Sequence, residues 1–102
     1  MTFAELLQTE KPVLIDFYAD WCAPCRAMKP ILEDLKTRIG EDALVYKIDV
    51  DRNPSVAEAY KVMSIPTLII FKNGEPVCRK SGIAPANELL KLLSEHIPTP
   101  AK

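Results

Sequence analysis

Apolar residues follow two spacings along this chain, and the spacings mark out its elements. "VLIDFYA" (13–19) is an almost unbroken apolar, β-rich run with one charge, the pattern of a central strand covered on both faces. From Ala23 to about Ile39 the apolar positions Met28, Ile31, Leu32, Leu35 and Ile39 recur at helical spacing. Pro24 suits the first turn of that helix, Pro30 removes one backbone hydrogen bond inside it and predicts a kink, and Gly40 is the stop signal. "ALVYKIDV" (43–50) predicts a second buried strand. Ahead of the first strand, "TFAE" is a capping-box pattern that predicts a short helix over about residues 3–9, ended by Lys11-Pro12. Asn53-Pro54 reads as the N-cap and first residue of a short helix through about Tyr60. "TLIIFK" (67–72), Asn73-Gly74 and "PVCRKS" (76–81) predict a β-hairpin around the strongest short-range turn signal. The last helix runs from Pro85 to about Ile97, with Leu89, Leu92, Leu93 and Ile97 on one face, and residues 97–102 are predicted to fray.

The predicted order is α-β-α-β-α-β-β-α. Two βα crossovers imply parallel strands and the hairpin adds an antiparallel one, giving a small mixed sheet with helices on both faces. A chain of 102 residues suits one domain, spanning 1–102, with one core. Hydrophobic residues at 48% and charged residues at 26% are ordinary globular usage and exclude disorder throughout. With 13 basic and 14 acidic residues the net charge is −1, so there is no electrostatic footprint for nucleic acid or an anionic membrane. No apolar run approaches a membrane span, and "MTFAELLQTEK" is too polar for a secretory leader, so the cytoplasm is the expected location.

Three cysteines, Cys22, Cys25 and Cys78, make a poor disulfide scaffold for a secreted domain. Cys22 falls at the strand-to-helix transition. There the unpaired N–H groups and the positive end of the helix dipole favour an anion, and should lower this thiol below the ~8.5 of a free cysteine. Cys25 lies one turn further in, near enough to attack a mixed disulfide on Cys22, while Pro24 stiffens the small ring. A zinc site needs about four ligands, and the remaining ones, Cys78 and His96, lack paired spacing and lie on distant elements. An inert disulfide would be opened by a reducing cytosol. A redox pair with no metal fits best. Cys78 reads as a small strand hydrophobe, and His96 as a complement to the last helix's dipole.

Asp16 interrupts a buried strand. By period-2 alternation it shares a face with Leu14 and Tyr18, opposite Val13, Ile15 and Phe17. A lone buried carboxylate raises its pKa or finds a partner, and Lys47 in the neighbouring strand is the expected one. Asp16 is then either a proton acceptor for Cys25 or half of a structural ion pair. Trp21 is either core or a shield over the thiolate that contacts substrate. Ile65-Pro66 precedes a strand, and the residues alone favour an ordinary trans bond there.

"DFYADWCAPCRAMKPIL" and "VYKIDVDRNPSVAEAYKVMSIPTLIIFKNGE" together resemble the thioredoxin family, over about Phe3 to Ile97. The resemblance implies a three-layer α/β/α sandwich and a protein dithiol–disulfide oxidoreductase needing no cofactor beyond its Cys22–Cys25 disulfide. It implies that Cys22 attacks, Cys25 resolves, and Asp16 is the buried carboxylate with Lys47 beside it. Pro66 would be cis, and Ile65 would pair its backbone with an extended substrate strand. Gly82 would line the groove, and Trp21, Pro24, Met63, Ile83 and Ala84 its apolar rim. The implied partners are disulfide-containing proteins and a flavin-dependent thioredoxin reductase, with the chain a monomer. An oxidase, an isomerase or a partner-specific enzyme of the same fold is the alternative, as is a non-redox binding module using the Ile65–Pro66 groove. Ala23 replaces the family's usual glycine and Tyr18 its usual tryptophan, changes that bear on the redox potential. Only Met1 and Thr2 precede the first helix, so the family's first strand has no room. A four-stranded sheet is expected, with residues 44–50 as an edge strand.

Overall fold

The computed structural model describes residues 2–98. Thr2 caps α1 (Phe3–Leu6) through a reciprocal capping box, its hydroxyl accepting from the Glu5 N–H while Glu5 accepts from the Thr2 N–H. The helix is shorter than expected. After Leu7 the chain turns, with the Thr9 hydroxyl accepting from Lys11 N–H ahead of Pro12. Then follow β1 (Val13–Tyr18), α2 (Ala23–Ile39), a 3₁₀ turn at Gly40–Asp42, β2 (Leu44–Asp49), α3 (Pro54–Ala59), β3 (Thr67–Lys72), β4 (Glu75–Ser81) and α4 (Ala86–Ser94).

The sheet has four strands among the described residues, in the order β2-β1-β3-β4. As expected, β2 is an edge. It runs parallel to β1, with Asp16 beside Lys47 and Tyr18 beside Asp49. One expectation fails: the connection through α3 does not deliver a second parallel neighbour, because β3 runs antiparallel to β1. The reason is length. A six-residue helix rises about 9 Å, whereas a six-residue strand spans about 20 Å. The chain leaving α3 therefore re-enters the sheet at the end where β1 finishes, with Thr67 opposite Phe17. β4 pairs antiparallel with β3 across Asn73-Gly74, both with positive φ, and a bulge between Cys78 and Pro76 leaves the exposed Val77 unpaired.

Alternation along the strands feeds two cores. Leu14, Val45, Leu68 and Ile70 face α2 and α4, meeting Met28, Leu32, Leu35, Leu89 and Leu93. Val13, Ile15, Phe17, Ile69 and Phe71 face α1 and α3, where Phe3, Tyr60 and Phe71 stack in tilted and edge-on contacts. This is the expected three-layer sandwich. α2 runs through Pro30 as one element and ends on Gly40 at φ 60°. Of the tail expected to fray, Ile97 instead packs against the core, and residues 99–102 lie outside the described residues.

Candidate redox site

The end of β1, the start of α2 and the loop before β3 converge at one end of the sheet. Cys22 leaves the strand with extended dihedrals and is the N-cap of α2, its sulfur accepting the Cys25 N–H at 3.2 Å. The positive pole of this 17-residue helix therefore points at the sulfur. Cys25 follows one turn inside, bonded to Cys22 in a disulfide with Cα atoms 5.2 Å apart. Both cysteines are buried. Pro24 stands exposed in the first turn, where its missing N–H costs nothing.

Across from the pair, the Ile65–Pro66 peptide is cis. The Ile65 carbonyl oxygen lies 3.8 Å from the Cys22 sulfur. Pro66 is buried, and its carbonyl accepts the Gly82 N–H at 2.9 Å, Gly82 sitting at φ 85° where a side chain is strained. Trp21, Met63 and Ile83 project into solvent around this groove, Trp21 at 69% and Met63 at 92% exposure. Ala84 does not join them: it is buried among the α2–α4 core residues, where the turn into α4 pulls it inward. Trp21 is not core. Its indole N–H donates to the Asp51 carboxylate at 2.9 Å, which fixes the ring over the loop. A cleft of about 380 Å³ opens here between Trp21, Val50, Val62, Met63, Ser64 and Ile65. Val50, Val62, Ser64 and Asp51 went unnoticed in the sequence, because three loops distant in the chain meet only in the fold.

On β1, Asp16 is fully buried and neither carboxylate oxygen has a hydrogen-bond partner among the described residues. Burial pushes its pKa up from 3.8 to about 6, against an opposite pull from Lys47. Lys47 is the register neighbour expected, but it makes no ion pair with Asp16. Its ammonium instead sits 4.3 Å from the centroid of the Tyr18 ring. A strand neighbour fixes where a lysine begins, whereas its long stem carries the charge outward to water and the ring face. A second cleft, of about 130 Å³, leads from that surface to Cys25 between Tyr18, Ala19, Arg26 and Lys29.

The remaining candidates lie elsewhere. Cys78 is half-buried against the α2–α4 core, as a strand hydrophobe should be. His96 is half-buried just past α4. No group of three or more His, Cys, Asp or Glu side chains among the described residues is arranged to hold a metal ion, and no described helix is long and apolar enough to cross a membrane.

The sequence matches the thioredoxin family model over residues 1–95. It is 48% identical over 97 residues to "Thioredoxin Y, chloroplastic" of Oryza sativa, covering 94% of this chain and 58% of the rice protein. It is 47% identical over 94 residues to a thioredoxin of Mycobacterium tuberculosis, covering 92% of this chain and 81% of that one. A mutant thioredoxin from Halobacterium salinarum superposes with a TM-score of 0.85 at 38% identity, over 96% of this chain and 85% of the other. A capped cysteine pair facing a proline groove, on a chain so matched, leads to one conclusion: this chain belongs to the thioredoxin family of dithiol–disulfide oxidoreductases.

Proposed function

We propose that the chain, acting as one domain, reduces disulfides in other proteins, with Cys22 as the attacking thiolate and Cys25 as the resolving thiol. One observation carries this reading: the Cys22 sulfur caps α2, accepts the Cys25 N–H and borders the groove at Ile65. In the reduced protein the Cys22 thiolate attacks one sulfur of a substrate disulfide. The substrate S–S bond breaks, one substrate thiolate leaves, and a mixed disulfide remains. Cys25 passes its proton to Asp16, and its thiolate then attacks the Cys22 sulfur. The second substrate thiolate departs and takes up a proton. Two electrons have moved from the cysteine pair to the substrate, leaving the Cys22–Cys25 disulfide.

Trp21, Pro24, Ile65, Pro66, Gly82 and Ile83 form the surface on which an extended substrate segment docks, its backbone pairing with Ile65 as an added strand. Lys47, beside Asp16, tunes that carboxyl group. The family works with thioredoxin reductases, and a flavin-dependent reductase is the proposed electron donor. The chemistry needs no metal or organic cofactor, since the electrons reside on two sulfurs. A cytoplasmic monomer serving electron transport and redox homeostasis is the setting that the reducing chemistry fits best.

The test is insulin-disulfide reduction with dithiothreitol as donor. Cys22→Ser should abolish the catalysed rate. Full activity in that variant would overturn the assignment. The reduction potential measured on the same protein separates the related readings, a value more oxidising than the cytosolic glutathione couple indicating an oxidase or isomerase.

A further inference from the structure

We infer that Tyr18 is a positioning residue whose ring holds the Lys47 ammonium at the outer end of the cleft leading to Cys25, and so keeps it off the Asp16 carboxylate. The inference rests on the reading of Asp16 as the proton acceptor for Cys25.

The geometry begins with register. Asp16 and Lys47 are direct neighbours on parallel strands, and Asp16 and Tyr18 share one face of β1. A lysine in that position can reach a buried carboxylate, an aromatic face or open water. The ammonium is on the face, 4.3 Å from the ring centroid, while both Asp16 oxygens remain without a partner. Tyr18 is half-buried and Lys47 exposed, so the cation on the ring stays partly hydrated, whereas on Asp16 it would be drawn inward.

Of the charged and titratable groups around the cleft, Lys47 is the one whose charge lowers the Asp16 carboxyl. β1 and the turn after it supply Tyr18 and Asp20, β2 supplies Lys47 and Asp49, and α2 supplies Cys25, Arg26 and Lys29 around the cleft. β3 presents apolar Leu68 as the register neighbour of Asp16, and α4 brings Leu89 and Leu93 to this face. Asp20 and Asp49 carry the wrong sign to stabilise a second carboxylate. Arg26 is held outward, donating to the Asp20 carbonyl at 2.9 Å.

The consequence is chemical. A base takes a thiol proton well only if its own proton affinity is not too low. Burial raises Asp16 to about 6, and Lys47 already pulls the other way from its place on the ring. An ammonium seated on the carboxylate would lower it further and weaken the base.

The experiment follows the Asp16 carboxyl carbon by NMR titration in the oxidised protein, with the pH dependence of the resolving step measured alongside. Tyr18→Phe and Tyr18→Trp keep a ring and should leave the Asp16 midpoint where it is. Tyr18→Leu should lower it by about one pH unit or more, as an opposite charge at contact does. Tyr18→Met, equally ringless, repeats the measurement should the leucine variant fold poorly. Adding Lys47→Met to either ringless variant should remove the drop. An unchanged midpoint in the ringless variants overturns the inference. So does a drop of the same size without Lys47, which would trace it to water entering the site. Failure of the underlying reading looks different: Asp16→Asn would then resolve mixed disulfides at the full rate at every pH, whatever the titrations show.

Discussion

A single buried carboxyl group couples the stability of this protein to pH. Asp16 is buried without a hydrogen-bond partner among the described residues, and its pKa stands near 6 instead of 3.8. Between those two values the folded state holds a proton that the unfolded chain has released. Stability therefore falls as pH rises from about 4 to about 6, and the loss persists at neutral pH. At about 1.4 kcal/mol per pH unit the loss amounts to roughly 3 kcal/mol. Asp16→Asn should thus stabilise the oxidised protein by roughly that amount in denaturant titrations at pH 7, and by little at pH 4. The same variant should slow the resolving step on the order of 100-fold at pH 7, the low end of what a positioned base contributes. Stabilisation that is equal at both pH values would show that Asp16 is not the strained group. That Asp16 is buried was legible in the sequence, since a charge inside "VLIDFYA" has nowhere else to go. The position of the Lys47 ammonium was not. Register fixes a Cα, while a four-carbon stem chooses among partners that the fold assembles.

At the scale of elements, the legible features were those written in adjacent residues. The N-cap position of Cys22, the Pro24 first turn and the Gly40 stop all follow from local backbone preferences, and α2 has the expected bounds. The hairpin is equally local. Asn73 and Gly74 carry φ of 54° and 82°, and open space surrounds the Gly74 Cβ position. The cost of a side chain there is conformational rather than steric, so Gly74→Val should destabilise the protein by about 1–2 kcal/mol in chemical denaturation without altering the cysteine chemistry. A value near zero would mean that the turn tolerates another backbone form. The direction of β3 was hidden for the opposite reason. It depends on whether a six-residue helix can traverse the sheet, a comparison of lengths that no periodicity encodes.

Across the whole molecule, the chain places its reactive sulfurs where three separately coded segments end together. β1 ends beside the pair at Tyr18 and Ala19, α2 brings the cysteines, and the loop before β3 brings Ile65 and Pro66 to within reach of Cys22. The family's outline was legible because each segment carries its own motif. The cleft between Trp21, Val50, Val62 and Met63 was not, because its walls are contributed by loops that become neighbours only once the sheet has formed. With two strands exposed at the edges, β2 carries the exposed Lys47 and β4 carries a bulge and Pro76, both of which discourage pairing with another sheet. The most direct measurement is covalent capture: each single-cysteine variant is reacted with a disulfide-bonded protein, and the adduct is mapped by mass spectrometry. Cys25→Ser should accumulate a mixed disulfide through Cys22, and Cys22→Ser should accumulate none. An adduct formed through Cys25 in the Cys22→Ser protein, with none through Cys22 in the Cys25→Ser protein, would contradict the account.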